Sequence, residues 1–140
     1  MLASDYLPKK MQSMDAYTYQ ITLGAIRGYK DMKKKADDLI DARKHQEVKV
    51  QSNSIGNPTA RIAEEREELL RYISAVDKAF STIPEEYRPL IKKNIAEKVA
   101  AYKIAGAHPN TIYTYRKRVI IETAYNLKLI DDRQYRSLKK

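Results

Sequence analysis

Residues 105–118 carry the side chains best suited to chemistry with a nucleic acid. The segment reads Ala-Gly-Ala-His-Pro-Asn-Thr-Ile-Tyr-Thr-Tyr-Arg-Lys-Arg, so hydrogen-bonding groups and three consecutive cations follow a glycine. Gly106 tolerates a positive φ, and Pro109 presets φ for the first turn of a following helix. Amides and hydroxyls on such a helix suit base edges in the major groove, and cations suit phosphates. The segment therefore predicts the turn and second helix of a helix-turn-helix.

One face of this second helix is expected to point outward, toward DNA. Asn110 suits adenine and Lys117 suits guanine, because their side chains match the groups on those base edges. Thr114 or Tyr113 suits a thymine methyl group or a phosphate. We expect His108 to cap the helix or contact a phosphate rather than bind a metal. The predicted DNA-binding residues are His108, Asn110, Tyr113, Thr114, Arg116, Lys117, Arg118 and Lys103.

Two helices have to position this face. The second helix is predicted from Pro109 to about Leu129, with an inward stripe of Ile112, Tyr115, Val119, Ala124 and Leu127. A preceding helix is predicted over residues 97–105. Small residues are needed where two such helices cross, and Ala101, Ala105 and Ala107 meet that need.

The N-terminal third is predicted to be one long helix over about residues 5–46. A heptad-like spacing connects Leu7, Met11, Met14, Thr18, Ile21, Ala25, Gly28, Met32 and Leu39. This pattern fits a self-association arm and an amphipathic helix on its own domain equally well. The lysines at 33–35 are followed by Asp37, Asp38 and Asp41, which we interpret as a solvated face. Residues 47–57 are rich in turn-forming types and are predicted to be a linker.

Further helices are predicted after this linker. Asn57 and Pro58 are typical of a helix start, and Leu69, Ile73, Val76, Phe80 and Ile83 repeat at helical spacing. Residues 82–85 resemble the capping-box start of a third helix, which Pro89 should kink or restart. Asp131 and Asp132 begin a final turn or tail. The prediction is an all-α protein with an N-terminal arm (1–46), a linker (47–57) and a helix-turn-helix domain (58–140).

The net charge favours a polyanionic partner. Lys and Arg number 27 against 18 Asp and Glu, which gives +9 at pH 7. Residues 84–140 carry 13 basic and 6 acidic side chains, so a net +7 lies in the segment that contains the predicted motif. An excess of this size suits nucleic acid or an anionic membrane surface. Its position favours double-stranded DNA.

Composition argues against several other function classes. The chain has no cysteine and two histidines, so thiolate chemistry is excluded and a catalytic zinc site is not expected. We find no glycine-rich phosphate loop and no nucleophile with a partnering base. We therefore expect a protein that is not an enzyme and has no cofactor, no metal and no catalytic residues. No apolar run is long enough for a membrane span, which favours a soluble cytoplasmic protein.

Three elements in order resemble a known group. These are the helix after Pro58, the Ile83-Pro-Glu-Glu-Tyr-Arg88 start, and the Thr111-Ile-Tyr-Thr-Tyr-Arg-Lys-Arg118 helix. Over about residues 57–130 the chain is similar to the ArpU/RinA-type transcriptional regulators of phages and prophages of Gram-positive bacteria, and Asn57-Pro-Thr-Ala-Arg61 resembles the element that opens their middle helix. The resemblance implies a helix-turn-helix like region 4 of sigma factors, control of late phage genes, and an association with the host nucleoid. The outward residues of the last long helix would then contact DNA.

Two other interpretations stay open at this point. A small-terminase-like subunit for phage DNA packaging would use similar helices but assemble as a ring. A protein-interaction module would contact RNA polymerase and bind DNA weakly or not at all. The regulator is expected to be a homo-oligomer, with a dimer favoured.

Overall fold

The computed structural model describes residues 14–49 and 58–139, and these residues form an all-α protein. The fold class predicted from the sequence is confirmed. Within the described residues the α-helices are α1 (Ala16–Arg27), α2 (Tyr29–Lys49), α3 (Pro58–Ser81), α4 (Arg88–Ile95), α5 (Pro109–Asn126) and α6 (Asp132–Leu138). Two 3-10 turns, Glu85–Tyr87 and Ala101–Lys103, lie before and after α4.

The single N-terminal helix expected over residues 5–46 is wrong. Gly28 separates α1 from α2, since its ψ of 2° departs from the helical value. At the other end of α1, the Asp15 carboxylate accepts a hydrogen bond from the Thr18 backbone N–H at 2.8 Å. That bond, followed by one from the Thr18 hydroxyl, lowers the pKa of Asp15. Leu7 and Met11 of the predicted stripe lie outside the described residues.

Helix α1 belongs to the main core. Met14, Tyr19, Leu23 and Ile26 are buried in the same cluster as side chains from α3, α4 and α5. Of the two interpretations of the N-terminal stripe, packing on the chain's own domain therefore holds for α1. The proposed division into an arm, a linker and a domain stays a prediction, because residues 50–57 lie outside the described part of the chain.

Helices α2 and α3 pack against each other as an antiparallel hairpin. Lys35 Nζ lies 3.0 Å from Glu65 Oε1, and Arg66 Nε donates to the Ala36 carbonyl at 3.2 Å. Nearer the core, the Tyr29 hydroxyl donates to Asp77 at 2.7 Å. Partial burial and this acceptor raise the pKa of Tyr29 to about 12. The apolar stripe predicted for α3 is confirmed, because Ile73, Val76 and Phe80 are buried and Leu69 is half-buried. Ile83, the last residue of the stripe, is buried just after the helix ends.

The start of α4 matches the sequence in one respect and differs in another. The helix restarts beside Pro89, as expected, and buries Ile91 and Ile95. The capping box predicted for Thr82 is wrong. Its hydroxyl instead donates to the Ala79 carbonyl at 2.7 Å, so it closes the end of α3.

The helix predicted over residues 97–105 is also wrong. Lys98 has a φ of +57°, which ends the helical course after α4. Asn94, almost fully buried, donates from Nδ2 to the Val99 carbonyl at 2.9 Å and holds the chain in that path. Ala101 and Ile104 are buried, whereas Ala105, expected at a helix crossing, is exposed. Residues 96–108 therefore separate α4 from α5 as a packed connection containing one 3-10 turn.

Helix α5 passes through the centre of the fold. It contacts α1, α3, α4 and α6, and its inward side chains Ile112, Val119, Ile120 and Ala124 are buried. The helix ends earlier than expected, because Lys128 adopts a φ of +60° and the Leu129 N–H bonds back to the Ala124 carbonyl at 2.9 Å. This is the Schellman arrangement of a helix C-terminus.

Candidate nucleic-acid interface

The N-terminus of α5 is built as the sequence predicts. Gly106 has a φ of +103° in the turn before the helix, and Pro109 occupies the first helical turn. His108 is the N-cap: its Nδ1 accepts a hydrogen bond from the Asn110 backbone N–H at 3.1 Å. The expected capping role of His108 is confirmed, and its side chain stays exposed at the start of the helix.

An exposed face, which we call the α5 front, extends from this N-terminus over residues 110–118. Asn110, Thr114 and Arg118 recur at intervals of four, so they lie along one side of the helix. All three are exposed, and Tyr113 beside them is 49 % exposed. The Thr114 hydroxyl donates to the Asn110 carbonyl at 2.9 Å and leaves its lone pairs toward solvent. The front therefore presents an amide, a hydroxyl and a phenol on a helical surface.

The cations of the α5 front are not neutralised by the fold. Arg118 is exposed and Lys117 is half-buried, and neither forms an ion pair or a side-chain hydrogen bond with any described residue. Lys103, on the 3-10 turn before α5, is also exposed, with Nζ 5.8 Å from the Tyr102 ring centroid. Positive charge without an internal partner is available to an external anion.

Arg116 does not belong to this surface, which corrects its predicted role. Its side chain is only 4 % exposed and lies in the core. Arg116 follows Ile112 by four residues and precedes Ile120 by four, so helical geometry places it on the buried stripe. A phosphate cannot reach a guanidinium in that position without unfolding the helix packing.

The buried Arg116 guanidinium instead connects three parts of the fold. Nη1 donates to Asn94 Oδ1 at 2.8 Å, and Nη2 donates to the Tyr19 hydroxyl at 3.3 Å. Asn94 in turn holds the connection after α4 through Val99. The network therefore ties α5 to α1, α4 and the 96–108 connection. Sequence reasoning missed Asn94 and Tyr19, although the spacing of Arg116 from Ile112 was the available signal.

Helix α6 covers the later part of the same side of α5. Tyr135 donates from its hydroxyl to Glu122 Oε1 at 2.6 Å, and Lys139 Nζ lies 3.3 Å from that oxygen. Hydrogen bonding to Tyr135 and to Glu122 raises the pKa of Lys139. Between the two helices lies an open cleft of about 210 Å³, with Lys117, Arg118 and Lys139 on its rim. The accessible part of the α5 front thus ends where α6 begins.

The surroundings of the α5 front add further positive charge. Residues 88–118 contain a single acidic residue, Glu97. Their basic residues are Arg88, Lys92, Lys93, Lys98, Lys103, Arg116, Lys117 and Arg118, of which Arg116 is the buried one. The net charge predicted to lie near the motif is therefore carried mostly by accessible side chains.

No described helix combines the length and the apolar character that a membrane crossing needs. No group of three or more His, Asp or Glu side chains in residues 14–49 and 58–139 is placed to hold a metal ion.

Comparison of the chain with protein-family models, with curated proteins and with solved structures finds no match.

Proposed function

We propose that this protein is a sequence-specific, double-stranded-DNA-binding transcriptional regulator that uses the α5 front as its recognition surface. By the resemblance of residues 57–130, the regulated genes are late genes of a phage or prophage. The protein then acts on the nucleoid in the cytoplasm of the bacterial host, as a homo-oligomer for which a dimer is expected. It carries out no catalytic step.

The observation that carries the proposal is that side chains of the α5 front suit DNA chemically while its exposed cation has no ion pair within the described fold. Asn110 and Thr114 offer groups for base edges, and Arg118 offers a cation without an internal partner. These groups lie together on one exposed side of the helix. A DNA duplex, which has regularly spaced phosphates and acceptors on its base edges, can contact the amide, the hydroxyl and the guanidinium at the same time.

The dimensions of the α5 front suit a major groove. Residues 110–118 rise about 1.5 Å each, so the front is about 12 Å long, and an α-helix with its side chains has the diameter of about 10–12 Å that a major groove admits. Recognition helices contact bases mainly with their N-terminal residues, and the proposal assigns that role to the start of α5, although the 96–108 connection rather than a short turn separates it from α4. Here α6 covers the C-terminal half of α5, so the N-terminal half is the part left for contact.

The direct test measures DNA affinity as a function of salt. Genomic fragments that bind the purified protein are selected from the host and prophage DNA, and one duplex is then titrated by fluorescence anisotropy at several salt concentrations. For K117A/R118A we expect weaker binding to all sequences and a salt slope reduced by about 0.9 per lost phosphate contact.

A matched control removes the same charge elsewhere. Arg71 and Lys78 are exposed on α3, so R71A/K78A lowers the net charge equally without touching the α5 front. The proposal expects this variant to keep the wild-type slope. An unchanged slope in K117A/R118A, or equal losses in both variants, would remove the α5 front from the interface.

The two rival functions predict different results in the same samples. A packaging subunit would show the mass of a ring of many copies before any DNA is added. An interaction module for RNA polymerase would show weak anisotropy changes with every fragment and no selected sequence. The regulator is supported by a selected sequence together with a small oligomer.

A further inference from the structure

The α2–α3 hairpin carries a charge pattern that the proposed DNA contact does not use. On α2, Lys30, Lys33 and Lys34 are followed by Asp37, Asp38 and Asp41. These six positions are spaced i, i+3, i+4, i+7, i+8 and i+11, so they share one face of the helix. All six side chains are exposed. The face is therefore basic in its first half and acidic in its second.

These six charges have no charged partner within the described fold. None of the six forms an ion pair with a described residue, although Lys33 and Asp37 stand at the spacing that allows one. The neighbouring Lys35, by contrast, points to the opposite side of α2 and pairs with Glu65 of α3 at 3.0 Å. The Lys35–Glu65 ion pair thus lies on one side of the hairpin, and the six charges on the other side have no ion pair with a described residue.

The pattern is complementary to itself when two α2 helices run antiparallel. Lys30 then lies opposite Asp41 of the second copy, Lys33 opposite Asp38, and Lys34 opposite Asp37. All three pairs are symmetric about the point midway between Lys35 and Ala36 along α2. A two-fold axis produces every one of these contacts twice, as an isologous interface requires. A parallel arrangement in register would place like charges together and be disfavoured.

Helix α3 offers an apolar counterpart on the same side of the hairpin. Tyr29 connects the two helices there: the Lys33 ammonium lies 5.9 Å from its ring centroid, and its hydroxyl bonds to Asp77. Leu70 precedes Asp77 by seven residues and so shares its face of α3, where it is 37 % exposed. Ala63, seven residues before Leu70, is half-buried on that face.

The centres of the two patterns coincide along the hairpin. Arg66 bonds to the Ala36 carbonyl, so the midpoint of the α2 charge pattern lies opposite residue 66 of α3. The midpoint of Ala63 and Leu70 lies between residues 66 and 67. The same two-fold axis therefore sets Leu70 of each copy against the small Ala63 of the other, in the manner of a knob entering a hole.

From this agreement we infer that the α2–α3 hairpin is the self-association surface and that its partner is a second copy of the chain, packed antiparallel through α2 and α3. The result is a four-helix arrangement with reciprocal ion pairs between the two α2 helices and Leu70–Ala63 contacts between the two α3 helices. The inference rests on the self-association proposed above and is independent of DNA binding. This surface differs from a self-association arm formed by the whole N-terminal segment, because α1 lies in the core.

Charge reversal in two complementary variants tests this surface in the full chain without DNA. We expect sedimentation equilibrium to give twice the 16.2 kDa of one chain for the wild type. K30E/K33E/K34E and D37K/D38K/D41K each place like charges together, so each should dissociate with a dissociation constant raised by roughly tenfold or more. An equimolar mixture of the two variants should restore the dimer as a heterodimer.

Two controls keep the result interpretable. K35E breaks the internal Lys35–Glu65 pair and should remain dimeric, and circular dichroism should show the wild-type helix content in every variant. A wild type that is monomeric, or that forms a ring, would overturn the inference. So would reversed variants that dimerise as the wild type does, or a mixture that fails to associate. Because mass is measured without DNA, none of these results depends on whether the α5 front binds DNA.

Discussion

The buried and exposed faces of α5 each carry an arginine, but the two side chains lie in opposite surroundings. Arg116 is 4 % exposed and is held by Asn94 and Tyr19, whereas Arg118, two positions later, is exposed and has no ion pair with a described residue. Two residues correspond to about 200° around a helix, so the two guanidinium groups point to opposite sides. The comparison shows that position on the helix, rather than side-chain chemistry, decides which guanidinium is held in the core and which is exposed to solvent.

The same distinction applies between α5 and the hairpin. Lys35 is exposed but has an internal carboxylate partner, and a surface pair of that kind contributes at most about 1 kcal/mol. Lys117 and Arg118 are near an apolar cleft and have no such partner among the described residues. Exposure alone therefore does not mark a candidate binding surface, and the proposed interface adds the lack of an ion-pair partner among the described residues.

The largest expected effect comes from breaking the inner face. Arg116→Ala removes the hydrogen bonds that the guanidinium donates to Asn94 Oδ1 and the Tyr19 hydroxyl, and it opens a cavity between α1, α4 and α5. We expect the free energy of unfolding to fall by about 3 kcal/mol. Urea denaturation followed by circular dichroism measures this. Arg118→Ala is the matched control and should change stability by less than about 0.5 kcal/mol; equal losses in the two variants would contradict the division of α5 into two faces.

An intermediate effect is expected on the outer face. Asn110→Ala removes an amide that can form two hydrogen bonds to adenine, so discrimination at one base position should decrease by roughly 2 kcal/mol. Competition between the selected duplex and its single-base variants measures this loss. Stability should stay near the wild-type value, because the Asn110 backbone still donates to His108. Uniform weakening across all duplexes would assign Asn110 to the DNA backbone instead of a base.

A smaller effect, of opposite sign, is expected where α5 ends. Lys128 has a φ of +60°, and glycine adopts this conformation without steric cost. Lys128→Gly should therefore raise the free energy of unfolding by about 1 kcal/mol, less the entropy that glycine adds to the unfolded chain. The midpoint of urea unfolding reports it. A lower midpoint would show that the Lys128 side chain itself stabilises the end of α5.

The smallest effect concerns the hairpin. Tyr29→Phe removes the hydrogen bond to Asp77 and should cost about 0.5 kcal/mol at neutral pH. Because folding raises the pKa of Tyr29 from about 10 to about 12, this contribution is complete below pH 10 and is lost as the pH rises through 12. The difference in stability between wild type and variant should follow that course. A difference that persists above pH 12 would mean that the hydroxyl proton is not what stabilises the hairpin.

Several features were predictable from residue spacing alone. The all-α class, the stripe of α3, the restart at Pro89 and the start of α5 follow from local signals that act within one or two turns. His108, Asn110, Tyr113, Thr114 and Arg118 were placed correctly on an exposed helical surface for the same reason. Whether that surface binds DNA stays a prediction.

Two of the missed features depend on side-chain contacts that residue spacing does not reveal. Helix 97–105 has no strong breaker in its sequence, and its course is changed by Asn94 and by the burial of Ala101 and Ile104. Arg116 looked like part of a basic run, but its burial depends on Tyr19, 97 residues away in the chain. Local propensity carries no information about such partners.

The most direct test observes both faces of α5 in one sample. Nitrogen-15-labelled protein is titrated with the selected duplex, and the backbone amide and arginine Nε resonances are followed by NMR. We expect Asn110, Tyr113, Thr114 and the Arg118 Nε to shift with DNA, while the Arg116 Nε keeps its position and its protection from solvent exchange. Unchanged resonances along residues 110–118 with shifts elsewhere, or a shift of the Arg116 Nε as large as that of Arg118, would contradict the account.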